Sequence, residues 1–160
     1  MLSEKLKNEV LKLKNRFPQR KSAILQALHL VLKEENFVEK ENLKQIAELL
    51  ELPPIEVFET ASFYTMFPQK KVGKYHIQVC TNLSCSLLGA EKLVDYLEEK
   101  LKIKVGETTP DGMFTLTEVE CLGSCGTAPV MQVNEDYHES LTKEKVDTII
   151  DGLKKVGTGL

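Results

Sequence analysis

The stretch Glu118-Val-Glu-Cys-Leu-Gly-Ser-Cys-Gly-Thr-Ala-Pro-Val130 contains two of the four cysteines of this 160-residue chain. Cys121 and Cys125 are spaced C-x3-C, and the glycines and the proline around them indicate a tightly folded loop. The other two cysteines, Cys80 and Cys85, are spaced C-x4-C and lie upstream. Because each pair follows a predicted strand, we predict that both pairs lie in loops at one end of a sheet and meet around one metal centre.

The region from residue 72 onward is predicted to alternate strands and helices. Tyr75, Ile77 and Val79 alternate with His76 and Gln78, which is the period-two pattern of a strand that runs into the first cysteine. Other apolar patterns predict a helix over Gly89–Leu101, strands at Phe114–Val119 and Val130–Val133, a turn at 134–137 into a fourth strand, and a last helix after Thr142. This order predicts an α/β fold with few strands.

Residues 1–71 are predicted to form a bundle of helices. All nine glycines of the chain lie at Gly73 or later, and a glycine-free segment interrupted only by prolines is typical of helices. The apolar periodicity predicts four of them: a first up to Phe17, a second capped by Ser22, a third from about Glu41, and a fourth that begins at Pro54 and carries Val57, Phe58 and Ala61.

Composition and charge narrow the classes of function. Residues 1–71 carry 12 Lys and Arg against 10 Asp and Glu, whereas residues 72–160 carry 9 against 14, so the cysteine half is acidic and a poor partner for nucleic acid. No apolar run approaches the roughly 20 residues that a membrane span needs. The first residues lack the apolar core of a secretion signal, which predicts a cytosolic chain.

The spacing of the four cysteines leaves several chemistries open. Four thiolates can hold a 2Fe–2S cluster, and C-x4-C is the opening spacing of plant-type ferredoxins, although the remaining spacing differs from theirs. Four cysteines can also hold a structural zinc ion, usually in C-x2-C knuckles. Two disulfides fit the even count but not a cytosolic compartment, and a thiol oxidoreductase requires the C-x-x-C that this chain lacks. Ligation by His29, His76 or His138 is unnecessary when four cysteines are present.

A set of longer motifs surrounds the cysteines. They are Cys80-x4-Cys85, Asp111-Gly-Met-Phe-Thr115, Cys121-Leu-Gly-Ser-Cys125 and Ala128-Pro129, with Phe63-Tyr-Thr-Met-Phe67, Val72-Gly-Lys74 and Val79-Cys-Thr81 upstream. In these motifs the chain resembles the thioredoxin-like 2Fe–2S subunit of NADH:quinone oxidoreductase (respiratory complex I), the NuoE type. The resemblance covers nearly the whole chain, and one departure is Ser84, where relatives often carry proline.

The resemblance implies a fold and a ligand set. It implies a helical N-terminal extension, residues 1–71, followed by a thioredoxin-like 2Fe–2S ferredoxin domain, residues 72–160. It also implies that one 2Fe–2S cluster is ligated by Cys80, Cys85, Cys121 and Cys125.

The resemblance further implies partners. The chain is expected to accept single electrons from FMN in a larger NuoF-type subunit that binds FMN and NADH, within the peripheral arm of a complex at the inner membrane. This chain has no G-x-G-x-x-G motif and is expected to bind neither nucleotide itself. Two alternatives remain: the equivalent subunit of an NAD-linked hydrogenase or formate dehydrogenase, and a structural zinc-binding scaffold.

Overall fold

The computed structural model describes residues 1–157. They group into two compact units that divide after Lys71. The last three residues of the predicted second domain, 158–160, lie outside the described residues. The assignment of residues 1–71 as an extension and of residues 72–160 as a separate domain stays a prediction.

The first unit consists of four α-helices around one apolar core. They are α1 (Glu4–Lys14), α2 (Ile24–Glu35), α3 (Lys40–Leu50) and α4 (Pro54–Phe63), with a short 3-10 helix at Arg20–Ala23 before α2. Ser3 caps α1 by accepting a hydrogen bond from the Leu6 N–H, at 3.2 Å. The core is built from residues that recur at steps of three and four, including Leu6, Val10, Leu28, Val31, Ile46 and Leu50.

Two details of the helical prediction are wrong. α1 ends at Lys14, before the predicted end at Phe17. Ser22 does not cap α2, because it lies inside the 3-10 helix, whose backbone continues directly into α2 and satisfies the first N–H groups there. The fourth helix is present where it was predicted: α4 buries Val57 and Ala61, whereas Phe58, about 100° further round the helix, is partly exposed.

The second unit is built on a four-stranded mixed sheet in the order β2-β1-β3-β4. The strands are β1 (Tyr75–Cys80), β2 (Phe114–Val119), β3 (Met131–Val133) and β4 (Asp136–His138). β1 is parallel to β2 and antiparallel to β3, and β3 is antiparallel to β4. The helices of this unit are α5 (Leu83–Leu87), α6 (Ala90–Leu101) and α7 (Lys143–Gly157). The predicted α/β fold class is therefore confirmed.

One face of this sheet forms the core of the second unit. Ile77 of β1 lies beside Leu116 of β2 and Val133 of β3 in the strand register. These residues pack with Leu97 of α6 and Ile150 of α7 in one buried cluster. Along each strand, residues that face this core alternate with residues that face the opposite side of the sheet. Cys80 is the last residue of β1 and therefore lies where that strand ends.

The opposite face of the sheet is polar and is buried along β1 and near the start of β2, whereas it is exposed at Tyr137 of β4. His76, Gln78 and Thr115 lie on it, and all three are buried. The sequence pattern predicted alternation of apolar and polar residues along β1, and that alternation is present, yet all six residues of the strand are buried.

Among the described residues, no helix has both the length and the apolar character required to cross a membrane.

Candidate metal centre

The first two cysteines form a buried inner pair. Cys80 ends β1 and is 3% exposed, and Cys85 lies in α5 and is 1% exposed. The prediction that both lie in a loop past the strand is wrong, because a five-residue helix follows the strand almost at once. Asn82 caps that helix: its side chain accepts from the Leu83 N–H at 2.8 Å, and its carbonyl accepts from the Ser86 N–H at 2.8 Å.

The second two cysteines lie in an exposed loop, as predicted. Cys121 follows β2, and Cys125 begins a short 3-10 helix that ends at Thr127. Gly123 has φ +74°, a left-handed conformation that side chains other than glycine rarely adopt. Its backbone N–H donates a hydrogen bond to the Cys121 sulfur at 3.3 Å. We call Cys121–Thr127 the outer loop.

The sheet brings the two pairs together. β1 and β2 are parallel, and Cys80 lies opposite Val119, so both strands end at the same edge of the sheet. The Cys80 thiol donates to the Glu120 carbonyl, next to Cys121, at 4.0 Å. The Cys85 and Cys121 thiols lie close enough to Cys80 to influence its pKa, and Cys125 lies close enough to Cys85 to do the same. All four thiols are free. In the described part of the chain, no group of three or more His, Cys, Asp or Glu side chains is arranged to hold a single metal ion, whereas a 2Fe–2S cluster shares its four thiolate ligands between two irons.

Hydrogen bonds give the inner pair different acidities. Burial raises the pKa of the Cys80 thiol, but hydrogen bonds from the backbone N–H groups of Asn82 and Leu122, and from the Cys85 and Cys121 thiols, more than offset this and lower the pKa overall. Burial, followed by the hydrogen bond to Cys80, raises the pKa of the Cys85 thiol. The thiolate is the form that binds metals, and the hydrogen bonds to Cys80 favour that form.

The segment after β3 braces the outer loop, and no sequence motif had singled it out. The Tyr137 hydroxyl donates to the Leu122 carbonyl at 3.0 Å. The Glu139 carboxylate accepts hydrogen bonds from the Ser124 hydroxyl and, at 2.8 Å, from the Thr127 hydroxyl. These bonds hold the pKa of the Glu139 carboxyl below its usual range. The contacts join positions far apart in sequence, so no local pattern could have predicted them.

The three histidines occupy other places. His29 packs edge-on against the Phe67 ring, with 5.0 Å between the ring centroids. His76 contacts Thr117 through its Nε2 atom at 2.8 Å, and His138 ends β4.

The donor set of this site fits an iron–sulfur cluster. It offers four free thiols from two chain segments, and backbone N–H groups are directed at the sulfurs of Cys80 and Cys121. Such N–H groups stabilise the negative charge of a thiolate-ligated cluster. The model of the thioredoxin-like [2Fe-2S] ferredoxin family matches residues 10–154. The chain belongs to this family.

Curated relatives extend the likeness over most of the chain. An E-type subunit of NADH-quinone oxidoreductase from Rhizobium meliloti is 45% identical over 87% of this chain and 83% of its own length. The NADH-quinone oxidoreductase subunit 2 of Thermus thermophilus is 48% identical over 84% of this chain and 75% of its own length. The resemblance to the subunit of NADH:quinone oxidoreductase, inferred from the motifs, is thus confirmed.

A solved structure shares the fold. The crystal structure of an NAD⁺-reducing [NiFe]-hydrogenase in the air-oxidized state matches 82% of this family member, with a TM-score of 0.69 and 25% sequence identity. The match spans 23% of the hydrogenase chain, so the ferredoxin-family protein corresponds to about a quarter of that longer chain.

Proposed function

We propose that this protein is the electron-transfer subunit of the NADH dehydrogenase module of complex I. In this proposal Cys80, Cys85, Cys121 and Cys125 hold one 2Fe–2S cluster. The observation that carries it is the meeting of the inner pair and the outer loop at one edge of the sheet, in a chain of the thioredoxin-like [2Fe-2S] family. The relatives named as subunits of NADH-quinone oxidoreductase support the choice of complex.

The two halves of the site have different tasks in this proposal. When bound, a 2Fe–2S cluster supplies the capacity to take up and release one electron at a time. Cys80 and Cys85, on regular elements in the interior, fix one side of the site and exclude water from it. The outer loop supplies the other two thiolates, and its Gly123 N–H stabilises charge on the Cys121 sulfur.

The electron donor is expected in another subunit. We propose that FMN and NADH bind to a larger NuoF-type partner and that this chain associates with it in the peripheral arm, on the cytoplasmic side of the inner membrane. The names of the relatives and the absence of a dinucleotide-binding motif in this sequence support this division. A second candidate is the equivalent role in an NAD-linked hydrogenase, which the match to the NAD⁺-reducing [NiFe]-hydrogenase supports.

Metal analysis of the purified protein tests the cluster. We expect about two iron atoms and two inorganic sulfides per chain, with visible absorption that dithionite bleaches. Stoichiometric zinc without visible absorption would refute the proposal in favour of a zinc-binding scaffold. Co-purification with neighbouring subunits separates the two complexes, because an FMN- and NADH-binding partner would accompany the chain in both cases but a nickel–iron subunit in only one.

Single substitutions test the ligands. Cys85→Ser and Cys121→Ser each remove one thiolate from a different half of the site, and we expect each to lose most of the iron and the reduced-state EPR signal. Ser84→Ala, next to Cys85 in α5, is the matched control and should retain both. An unchanged EPR signal in either cysteine variant would show that the corresponding thiol is not a ligand.

A further inference from the structure

We infer that Tyr137 is a positioning residue for Cys121 and acts through the peptide group that joins Leu122 to Gly123. The inference rests on the proposed function, because it concerns how strongly a cluster held by Cys121 attracts an electron. Tyr137 lies outside every cysteine motif of the sequence, and only the folded chain brings it to the outer loop.

A continuous chain of two hydrogen bonds leads from the Tyr137 hydroxyl to sulfur. The hydroxyl donates to the Leu122 carbonyl oxygen at 3.0 Å. The Gly123 N–H donates to the Cys121 sulfur at 3.3 Å. The carbonyl and this N–H belong to one planar peptide group, and in a trans peptide they point in opposite directions. Holding the oxygen at Tyr137 therefore holds the N–H at the sulfur.

Tyr137 is suited to this role by its place in the fold. It lies in the middle of β4, opposite Gln132 of β3, so its backbone is fixed by the sheet. The outer loop, by contrast, is exposed, and Gly123 has the left-handed backbone of a residue with wide conformational freedom. A fixed strand thus sets the orientation of one peptide group in a loop that could otherwise rotate it.

The hydrogen bond has an electronic consequence as well as a steric one. A donor at the carbonyl oxygen polarises the peptide group, which makes its N–H a stronger donor in turn. Hydrogen bonds to a thiolate sulfur stabilise negative charge, and a reduced cluster carries one more negative charge than an oxidised cluster. The Tyr137 hydroxyl should therefore raise the reduction potential of the centre.

The test removes the hydroxyl and nothing else. Tyr137→Phe keeps the ring, and Tyr96→Phe is the matched control, because the Tyr96 hydroxyl donates to Asp147 at 2.6 Å on the helices α6 and α7. The reduction potential is measured by dithionite titration of the purified, cluster-containing protein, and the reduced-state EPR spectrum is recorded. We expect a more negative potential and shifted g-values for Tyr137→Phe, and wild-type values for Tyr96→Phe.

A second variant decides the matter if Tyr137→Phe fails to retain a cluster. Replacement of Tyr137 by 3-fluorotyrosine keeps the hydroxyl but makes it a stronger donor, provided the phenol stays protonated at the pH of the titration. The expected potential is then more positive than that of the wild type. A residue that only fills space would not shift the reduction potential in opposite directions in the two variants.

Each result has a stated meaning. Equal potentials and EPR spectra for wild type and Tyr137→Phe would overturn the inference, as would an equal shift in Tyr96→Phe. If Tyr137→Phe loses its cluster, an unshifted potential in the 3-fluorotyrosine variant would overturn it too. Iron and sulfide are measured first on the wild type: their absence would refute the proposed function, whereas their presence with an unshifted variant would refute only the role of Tyr137.

Discussion

Burial of His76 should make the free energy of unfolding fall as pH falls, and replacing His76 should remove this part of the pH dependence. The residue lies in β1 and is 8% exposed. Its Nε2 atom is 2.8 Å from the Thr117 hydroxyl, and its backbone N–H donates to the Asn134 side chain at 2.9 Å. Burial lowers the pKa of the His76 ring to about 4. The ring is therefore neutral in the folded protein at neutral and mildly acidic pH.

The size of the effect follows from the difference between the folded and unfolded pKa values. In the unfolded chain the ring has a pKa of about 6.5, so full protonation costs about 3 kcal/mol of folding free energy. Because the folded pKa is the lower one, the unfolded chain binds the proton first as pH falls. The stabilisation is complete above pH 6.5 and is lost as pH falls towards 4. By pH 5, about 2 kcal/mol should be lost.

Denaturant unfolding at pH 7 and pH 5 measures this loss. The free energy of unfolding of the wild type should fall by about 2 kcal/mol more between these pH values than that of His76→Gln, whose side chain does not titrate. His138→Gln, at the end of β4, is the control and should follow the wild type. An NMR titration of the folded wild type gives the His76 pKa directly. A midpoint near 6.5, or parallel losses in wild type and His76→Gln, would refute the reasoning.

Two further predictions concern glycines and the outer loop. A Cβ at Gly73 would lie 3.0 Å from backbone atoms of the loop before β2, so Gly73→Ala should lower the free energy of unfolding by about 1–3 kcal/mol. Gly152 lies in α7 with open space around it, so Gly152→Ala should raise the free energy of unfolding by about 0.5–1 kcal/mol. A change of the same sign in both glycine variants would contradict this prediction. Glu139→Gln removes the negative charge of the carboxylate that accepts hydrogen bonds from the Ser124 and Thr127 hydroxyls. The rate at which a chelator removes the cluster should therefore be higher than in the wild type. Glu135→Gln, in the adjacent turn, should match the wild type, and an unchanged rate in Glu139→Gln would contradict the bracing role.

Local patterns predicted most of the fold because they report on burial. The apolar periodicity located α1 to α4 and α6, and the alternation in β1 located the central strand. The helical periodicity did not reveal α5, since five residues are too few to show a helical period. Asn82, which caps that helix, was the local signal that could have revealed it.

The site was predictable only in part for a related reason. Cysteine spacing and the ends of β1 and β2 indicated that the two pairs meet, because parallel strands end at one edge of a sheet. The contacts of Tyr137 and Glu139 with the outer loop depend on where β4 lies, which no local pattern encodes. The burial of His76 could not be read from β1 either, since polar residues on an alternating strand usually face solvent.

The two halves of the proposed centre differ in their exposure to solvent, because the inner pair is buried and the outer loop is exposed. Cys80 and Cys85 are shielded by the strand and helix that carry them, whereas Cys121 and Cys125 face solvent. If these cysteines hold a cluster as proposed, oxygen species, chelators and cluster-delivery proteins would approach from solvent, so damage and repair should both begin at the sulfurs of Cys121 and Cys125. Under the proposed function, Cys121 and Cys125 would be the first thiolates to lose their metal, and Cys80 and Cys85 would be the ones protected from solvent while a centre is damaged or reassembled.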